Sequence, residues 1–288
     1  MSAPPRTAVV GAGRLARALA PALVAAGLGP VRVLSPGGRS ARALARGRRG
    51  MSASSLTETL PDDVRLVLLA VPDDRIVGTA RALATSLVSW RRRVVLHTAG
   101  ALDVAPLAPL ARRGATVGVL HPLHVFGSSG TAAPRGTLCR VEGRAAARLA
   151  RDLGWVPVVV PRPALYHAAA SLASNDVVAL LHLAAAALVR AGVPRARADA
   201  GVLALAEGAL AQARRGGIPA ALTGPAARGD ARTVGRQMRA LRAFPLASAA
   251  HGTLSMHLVQ LAVSLGRLDP AGLRAVARAL APVARPGT

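Results

Sequence analysis

Two hydrophobic rhythms divide the chain. Up to residue 160, short apolar runs recur and each ends at a polar or glycine-containing break: Thr7–Val10, Val31–Leu34, Val64–Val71, Val94–Leu96, Val117–Leu120, Leu138–Val141 and Val156–Val160. Continuous valine- and leucine-rich runs of this length predict buried strands. Between them the apolar spacing turns helical, as in Leu15, Leu19 and Leu23. Strands alternating with helices predict an α/β domain, a doubly wound and mostly parallel sheet with helices on both faces. After Pro161-Arg162-Pro163 the strand signals stop. Helical patterns follow near 165–191, 197–215, 231–243, 247–266 and 270–283. The expected organisation is therefore a sheet domain at 1–163 and an all-α domain at 164–288, with a substrate cleft where the second closes over the first.

The first strand runs into Gly11-Ala12-Gly13-Arg14-Leu15-Ala16. This is G-x-G-x-x-A placed between a strand and a helix. Gly11 permits the tight turn, Gly13 lets the backbone approach a pyrophosphate, and Ala16 is small enough for close helix–strand packing. The amide-rich helix start, at Arg14 and Leu15, attracts the anion. A Rossmann-type dinucleotide site is the expectation. An enzyme using NAD would usually carry an acid near the end of the second strand to hold the ribose 2′-hydroxyl. This chain has Ser35 there, with Arg39 close by. A hydroxyl and a guanidinium suit a 2′-phosphate, so the pattern favours NADP(H). Further candidate cofactor contacts follow later strands, at Val71, Pro72, Asp73 and Thr98. Polar groups collect at the strand ends, among them Asp74, His97, His121 and His124, where ligands of such sheets bind.

The helical half brings a second set of candidates. On an ideal helix His167, Ser171 and Asn175 advance only ~40° per step and lie ~6 Å apart along one face. Tyr166 is one position off that stripe. Three polar side chains on an alanine-rich helix favour a cleft wall over ordinary packing. Leu222 to Asp230 (LTGPAARGD) forms another polar island, in which Asp230 is expected to cap the next helix and Arg228 could pair with a carboxylate.

Composition narrows the reading. The formal net charge is +24, and all 37 Lys+Arg positions are arginine. They are scattered, and two tryptophans, one tyrosine and two phenylalanines leave little to stack on bases, which argues against a specific nucleic-acid role. The longest apolar stretch, Val177 to Val189, is 13 residues and shorter than a membrane span. Cys139 is the single cysteine, so neither a disulfide framework nor a cysteine metal site is expected. A cytoplasmic protein without membrane partners is the expectation.

The segments GAGRLA, AVPDD, HTAGALD, HPLHVFG, LYHAAASLASN and LTGPAARGD run in order from residue 11 to residue 230. Together they resemble the Rossmann-like oxidoreductases that carry a C-terminal helical domain of unknown function. Those are relatives of ketopantoate reductases and of the 6-phosphogluconate dehydrogenase superfamily. The resemblance implies an NADP-dependent, dimeric reductase, with ketopantoate reduction in pantothenate synthesis as one activity. The wider superfamily places a K-x-x-x-N pair at the start of the first C-terminal helix. Asn175 matches its asparagine and Ser171 falls at its lysine, and no lysine occurs anywhere in this chain. HPLHVFG is also similar to a His-Pro segment of prephenate dehydrogenases, which marks His121.

These readings lead to one expected mechanism. NADPH would deliver hydride to a small 2-oxo acid, and a histidine, His167 or His121, would supply the proton. Asn175 would hold the reacting oxygen, Arg228 the carboxylate, with Ser171 and Tyr166 as further substrate contacts. The alternatives are another NADP-dependent dehydrogenase acting on an imine or prephenate-like substrate, and a non-catalytic NADP(H)-binding regulator.

Overall fold

The computed structural model of the protein describes residues 6–87 and 89–281. It forms two compact units, Met1–Leu172 and Ala173–Thr288. The first contains strands β1 (Thr7–Val10), β2 (Val31–Ser35), β3 (Met51–Ser55), β4 (Leu66–Leu69), β5 (Val94–His97), β6 (Thr116–Pro122), β7 (Leu138–Glu142) and β8 (Val156–Val158). They form one sheet in the order β3-β2-β1-β4-β5-β6-β7-β8. Every neighbouring pair is parallel except β6 and β7. The doubly wound, mostly parallel fold expected from the alternating pattern is the fold observed. Its helices are α1 (Arg14–Ala25), α2 (Arg39–Ala45), α3 (Ile76–Ser86), α4 (Ala108–Ala111), α5 (Arg144–Asp152) and α6 (Pro163–Leu172).

Alternation along each strand builds the two apolar layers. In β1, Val9 packs with α1 and α5 residues such as Leu19 and Leu149, whereas Ala8 and Val10 join Ile76, Ala80 and Leu83 of α3. In β4 and β5, Leu68 and Leu96 face the first layer, and Val67, Leu69 and Val95 face the second. The sheet is thus buried on both faces, as continuous apolar strands require. The strand β3 was not expected. Its sequence MSASS has no apolar run, and it forms by pairing Met51–Ser55 in register with β2.

The second unit is helical: α7 (Asn175–Arg190), α8 (Arg195–Gly216), α9 (Ala231–Ala240), α10 (Pro245–Ser264) and α11 (Pro270–Leu280). A small core of Val234, Val259, Val276 and Leu280 joins α9, α10 and α11. One expectation is corrected here. The helix expected over 165–191 is broken at Ala173-Ser174, so α6 and α7 are separate and the continuous stripe through Asn175 does not exist. The two units divide at Leu172/Ala173, and Tyr166 and His167 tie α6 to the sheet unit by ring contacts with His121. Positions 282–283 of the expected last helix lie outside the described residues.

The apolar content of this region is larger than its longest uninterrupted run suggests. Pro163–Arg190 is long and apolar enough to cross a membrane by length and composition, with an 18-residue window of mean hydropathy 1.7 of which very little is buried. The 13-residue run understated this, because it starts only after Asn175-Asp176, while the alanine- and leucine-rich residues before that pair also raise the average.

Candidate active site

The glycine turn after β1 has the geometry its sequence predicts. Gly11 has φ +116°, a conformation that side chains with a Cβ rarely adopt. A Cβ there would collide with the Ala70 carbonyl at the end of β4. Gly13 is exposed, and a Cβ on it would meet nothing within 4 Å, so the space in front of its backbone is open. Gly13 begins α1 without any side-chain cap, leaving first-turn amides free for an anion. Ala12 and Leu15 pack against the core beneath, and Arg14 is exposed at the helix start. Val71 is half-buried, and Pro72 and Asp73 are exposed in the turn after β4.

Two of the expected cofactor contacts hold the fold. Ser35 is buried, and its oxygen accepts the Ala41 amide of α2 at 3.1 Å. That hydroxyl is a helix-start cap inside the protein, not a group presented to a phosphate. Arg39, the first residue of α2, is exposed and remains available. The Thr98 hydroxyl is also buried, and it donates to the Leu69 carbonyl at 3.1 Å, tying the ends of β4 and β5 together.

A second cluster lies beyond the ends of β5 and β6. His121 Nδ1 is 3.1 Å from the Tyr166 hydroxyl oxygen, and the two rings meet edge to face. The His167 ring stands edge-on to His121, with centroids 6.0 Å apart. Gly100 backs both imidazoles. A Cβ at that position would lie 2.6 Å from His167 Cδ2 and 2.8 Å from His121 Nε2. When the Tyr166 hydroxyl donates to Nδ1, His121 carries its own proton on Nε2, the atom nearest Gly100. Among the described residues the His167 side chain has no hydrogen-bond partner.

The loop that brings Gly100 to the rings is fastened from below. His97 is fully buried; its Nδ1 accepts the Ala99 amide, so Nε2 carries the proton and donates to the Asp103 carbonyl at 2.6 Å. Arg140 lies directly opposite His121 in the β6–β7 ladder. Only 2% exposed, it donates from Nη1 to the Leu102 carbonyl at 2.8 Å and pairs with Glu142 at 3.3 Å. Its Nε has no partner among the described residues.

Burial sets the proton affinities. Loss of water, then the charges of His167 and Arg140, push the His121 pKa down to about 4. Desolvation raises the Tyr166 phenol to about 12 and lowers His97. At neutral pH the His121–Tyr166 pair is therefore an uncharged hydrogen-bonding unit.

The structure brings together His121, Tyr166 and His167 within the first unit. Ser171 is half-buried one turn further along α6. Asn175 and Arg228 belong to the second unit and are exposed, Asn175 opening α7 and Arg228 in the turn before α9. Asp230 caps α9 as expected, accepting the Thr233 amide at 3.0 Å. Gly100 and Arg140 were missed by the sequence reading. One arginine among 37 carries no signal. The detectable hint is its place in Leu-Cys-Arg-Val-Glu, where it alternates with buried apolar residues in a strand. Among the described residues no three His, Cys, Asp or Glu side chains group to hold a metal ion.

Fold and glycine turn define the class: a Rossmann-type α/β unit followed by a helical unit. Sequence comparison agrees with that division. Residues 3–122 match the family described as Rossmann-like domain, and residues 139–258 match a domain of unknown function, DUF2520. No curated protein matches the chain. Among solved structures, a candidate NADP oxidoreductase from Bacteroides fragilis is 22% identical with a TM-score of 0.71, covering 89% of this chain and 98% of that one. A reductive aminase from Aspergillus terreus in complex with NADPH and ethyl levulinate is 17% identical with a TM-score of 0.60, covering 94% and 99%. A Plasmodium falciparum pyrroline carboxylate reductase with NADP bound is 12% identical with a TM-score of 0.52, covering 91% and 97%. At these identities the likeness is one of fold.

Proposed function

We propose that the protein is an NADP(H)-dependent oxidoreductase that reduces a C=O or C=N bond of a small organic acid. The observation that carries this reading is the His121–Tyr166–His167 cluster, held against Gly100 beyond the same strand ends as the Gly11 turn. NADPH, when bound, supplies the hydride. The chain's part is to bind and orient. Gly11, Gly13 and the start of α1 cradle the pyrophosphate, and Arg39 offers a charge to the 2′-phosphate. His167 reaches the substrate with an unpartnered imidazole, while Tyr166 fixes the ring of His121.

Two substrate chemistries follow. A 2-oxo acid, with ketopantoate first, needs a proton delivered to the developing alkoxide, and His167 is the donor. Asn175 and Arg228 would then contact the substrate oxygen and carboxylate. An imine that is already protonated accepts hydride without such delivery. At neutral pH His121 is already deprotonated and Tyr166 holds its proton more tightly than a free phenol, so neither readily supplies a proton, which favours this second case. The fold's likeness to a reductive aminase and a pyrroline carboxylate reductase supports the same direction.

The deciding experiment follows NADPH absorbance with ketopantoate, other 2-oxo acids and imines. Turnover with one class, lost in both His167→Ala and His121→Ala while NADPH still binds, is the expected result. Cofactor binding without turnover on any member would replace the enzyme with a regulator. A homodimer is part of the proposal, built on the exposed apolar residues of α7 and α8 such as Val178 and Leu205. Sedimentation measures it.

A further inference from the structure

We propose that the second unit contains a binding site for a small, uncharged, mainly apolar molecule, between the Thr223–Ala226 turn and the His251–Ser255 face of α10. The inference stands apart from the hydride chemistry, which uses none of the side chains that line this cavity. A cavity of about 480 Å³ opens there between α7 and α10. Pockets for small ligands occupy ~300–1,000 Å³. Leu183, Leu254 and Leu258 make it largely apolar.

The polar side chains in its wall are few, Thr223, Gln237, His251 and Ser255, and one of them carries a buried atom without a partner. His251 and Ser255 are four residues apart and share one face of α10. The His251 Nε2 atom is buried without a hydrogen bond, although a buried polar atom normally has one. Ser255 is 3% exposed and places its hydroxyl on the same wall. A neutral imidazole and a hydroxyl side by side complement a carbonyl, alcohol or amide group. Burial lowers the His251 pKa, which keeps the imidazole uncharged.

The lining also says what the ligand lacks. In a chain with 37 arginines and 13 acids, no arginine, aspartate or glutamate borders this cavity. A carboxylate or an ammonium would enter without a counter-charge, at a desolvation cost that excludes it. The opposite wall is prebuilt. Gly224 holds φ +97°, and the Asp230 amide donates to the Pro225 carbonyl at 2.9 Å. This gives the Thr223–Ala226 part of the polar island a use that the reductase reading leaves open.

The test uses the full chain with 2-octanone as probe and octanoate as its charged counterpart, by ligand-observed NMR titration. Saturable binding of 2-octanone, with octanoate at least tenfold weaker, is expected. His251→Leu and Ser255→Ala should each weaken 2-octanone about tenfold, the effect of one hydrogen bond. Ala187→Phe, which fills the cavity, should abolish binding. No saturation by 5 mM 2-octanone, equal binding of octanoate, or unchanged affinity in the variants overturns the site. Where Ala187→Phe proves unfolded by circular dichroism, Ser255→Ala decides alone.

Discussion

Acidification should cost the sheet unit a stability that depends on one imidazole. His121 titrates at about 4 in the folded protein, against 6.5 for the free side chain, chiefly through burial. The unfolded chain takes up this proton from about pH 6.5 downward, but the folded one does so only near pH 4. Stability from this group is thus complete above pH 6.5 and is lost as the pH falls through 4. With these two values linkage gives a loss of ~2 kcal/mol between pH 7.5 and pH 5, rising to ~3 kcal/mol at pH 4. Both tryptophans, Trp90 and Trp155, are buried in the first unit, so urea unfolding followed by their fluorescence reports that unit. The measurement compares wild type with His121→Gln at pH 7.5 and pH 5. Groups common to the two proteins contribute equally and cancel. The glutamine variant should lose ~2 kcal/mol less than wild type over this interval. Equal losses in the two proteins, or an NMR midpoint for His121 near 6.5, would refute the account of a desolvated, neutral ring.

Three further outcomes are expected. Gly100→Ala places a methyl 2.6 Å from His167 Cδ2, which is about 0.9 Å inside normal carbon contact. It should cost ~1–3 kcal/mol in urea unfolding and at least tenfold in kcat, with NADPH affinity unchanged; unaltered turnover would detach the ring cluster from catalysis. Arg39→Ala should weaken NADPH roughly tenfold in fluorescence titration and leave NADH alone, and an equal loss for both would remove Arg39 from phosphate recognition. Asp230→Ala should lower the midpoint of thermal unfolding, through loss of the Thr233 amide bond.

The elements that were legible before the structure are those whose cause is local. The turn at Gly11 needs a glycine because of its own φ, and its strand and helix flank it directly in sequence. Asp230 caps the helix that begins at the next residue. The break at Ala173-Ser174 was not legible, since alanine and serine both fit a helix interior. Ser35 and Arg39 looked alike as phosphate contacts. Ser35 points inward to the Ala41 amide and Arg39 outward, a distinction that strand and helix placement makes and residue type does not.

What the sequence determined by itself was therefore the class: alternating strands and helices, a dinucleotide turn, then a helical half. Hydrophobic period and glycine chemistry act over a few residues, so they can be read from the string. The tertiary structure alone decided which polar groups meet. His121 and Tyr166 are 45 residues apart and touch, and Gly100 lies against both His121 and His167. Arg140 reaches His121 across an antiparallel ladder, the one reversal in the sheet. The low pKa of His121 exists only after that assembly, because it comes from water removed and charges brought near, and neither is a property of any residue alone.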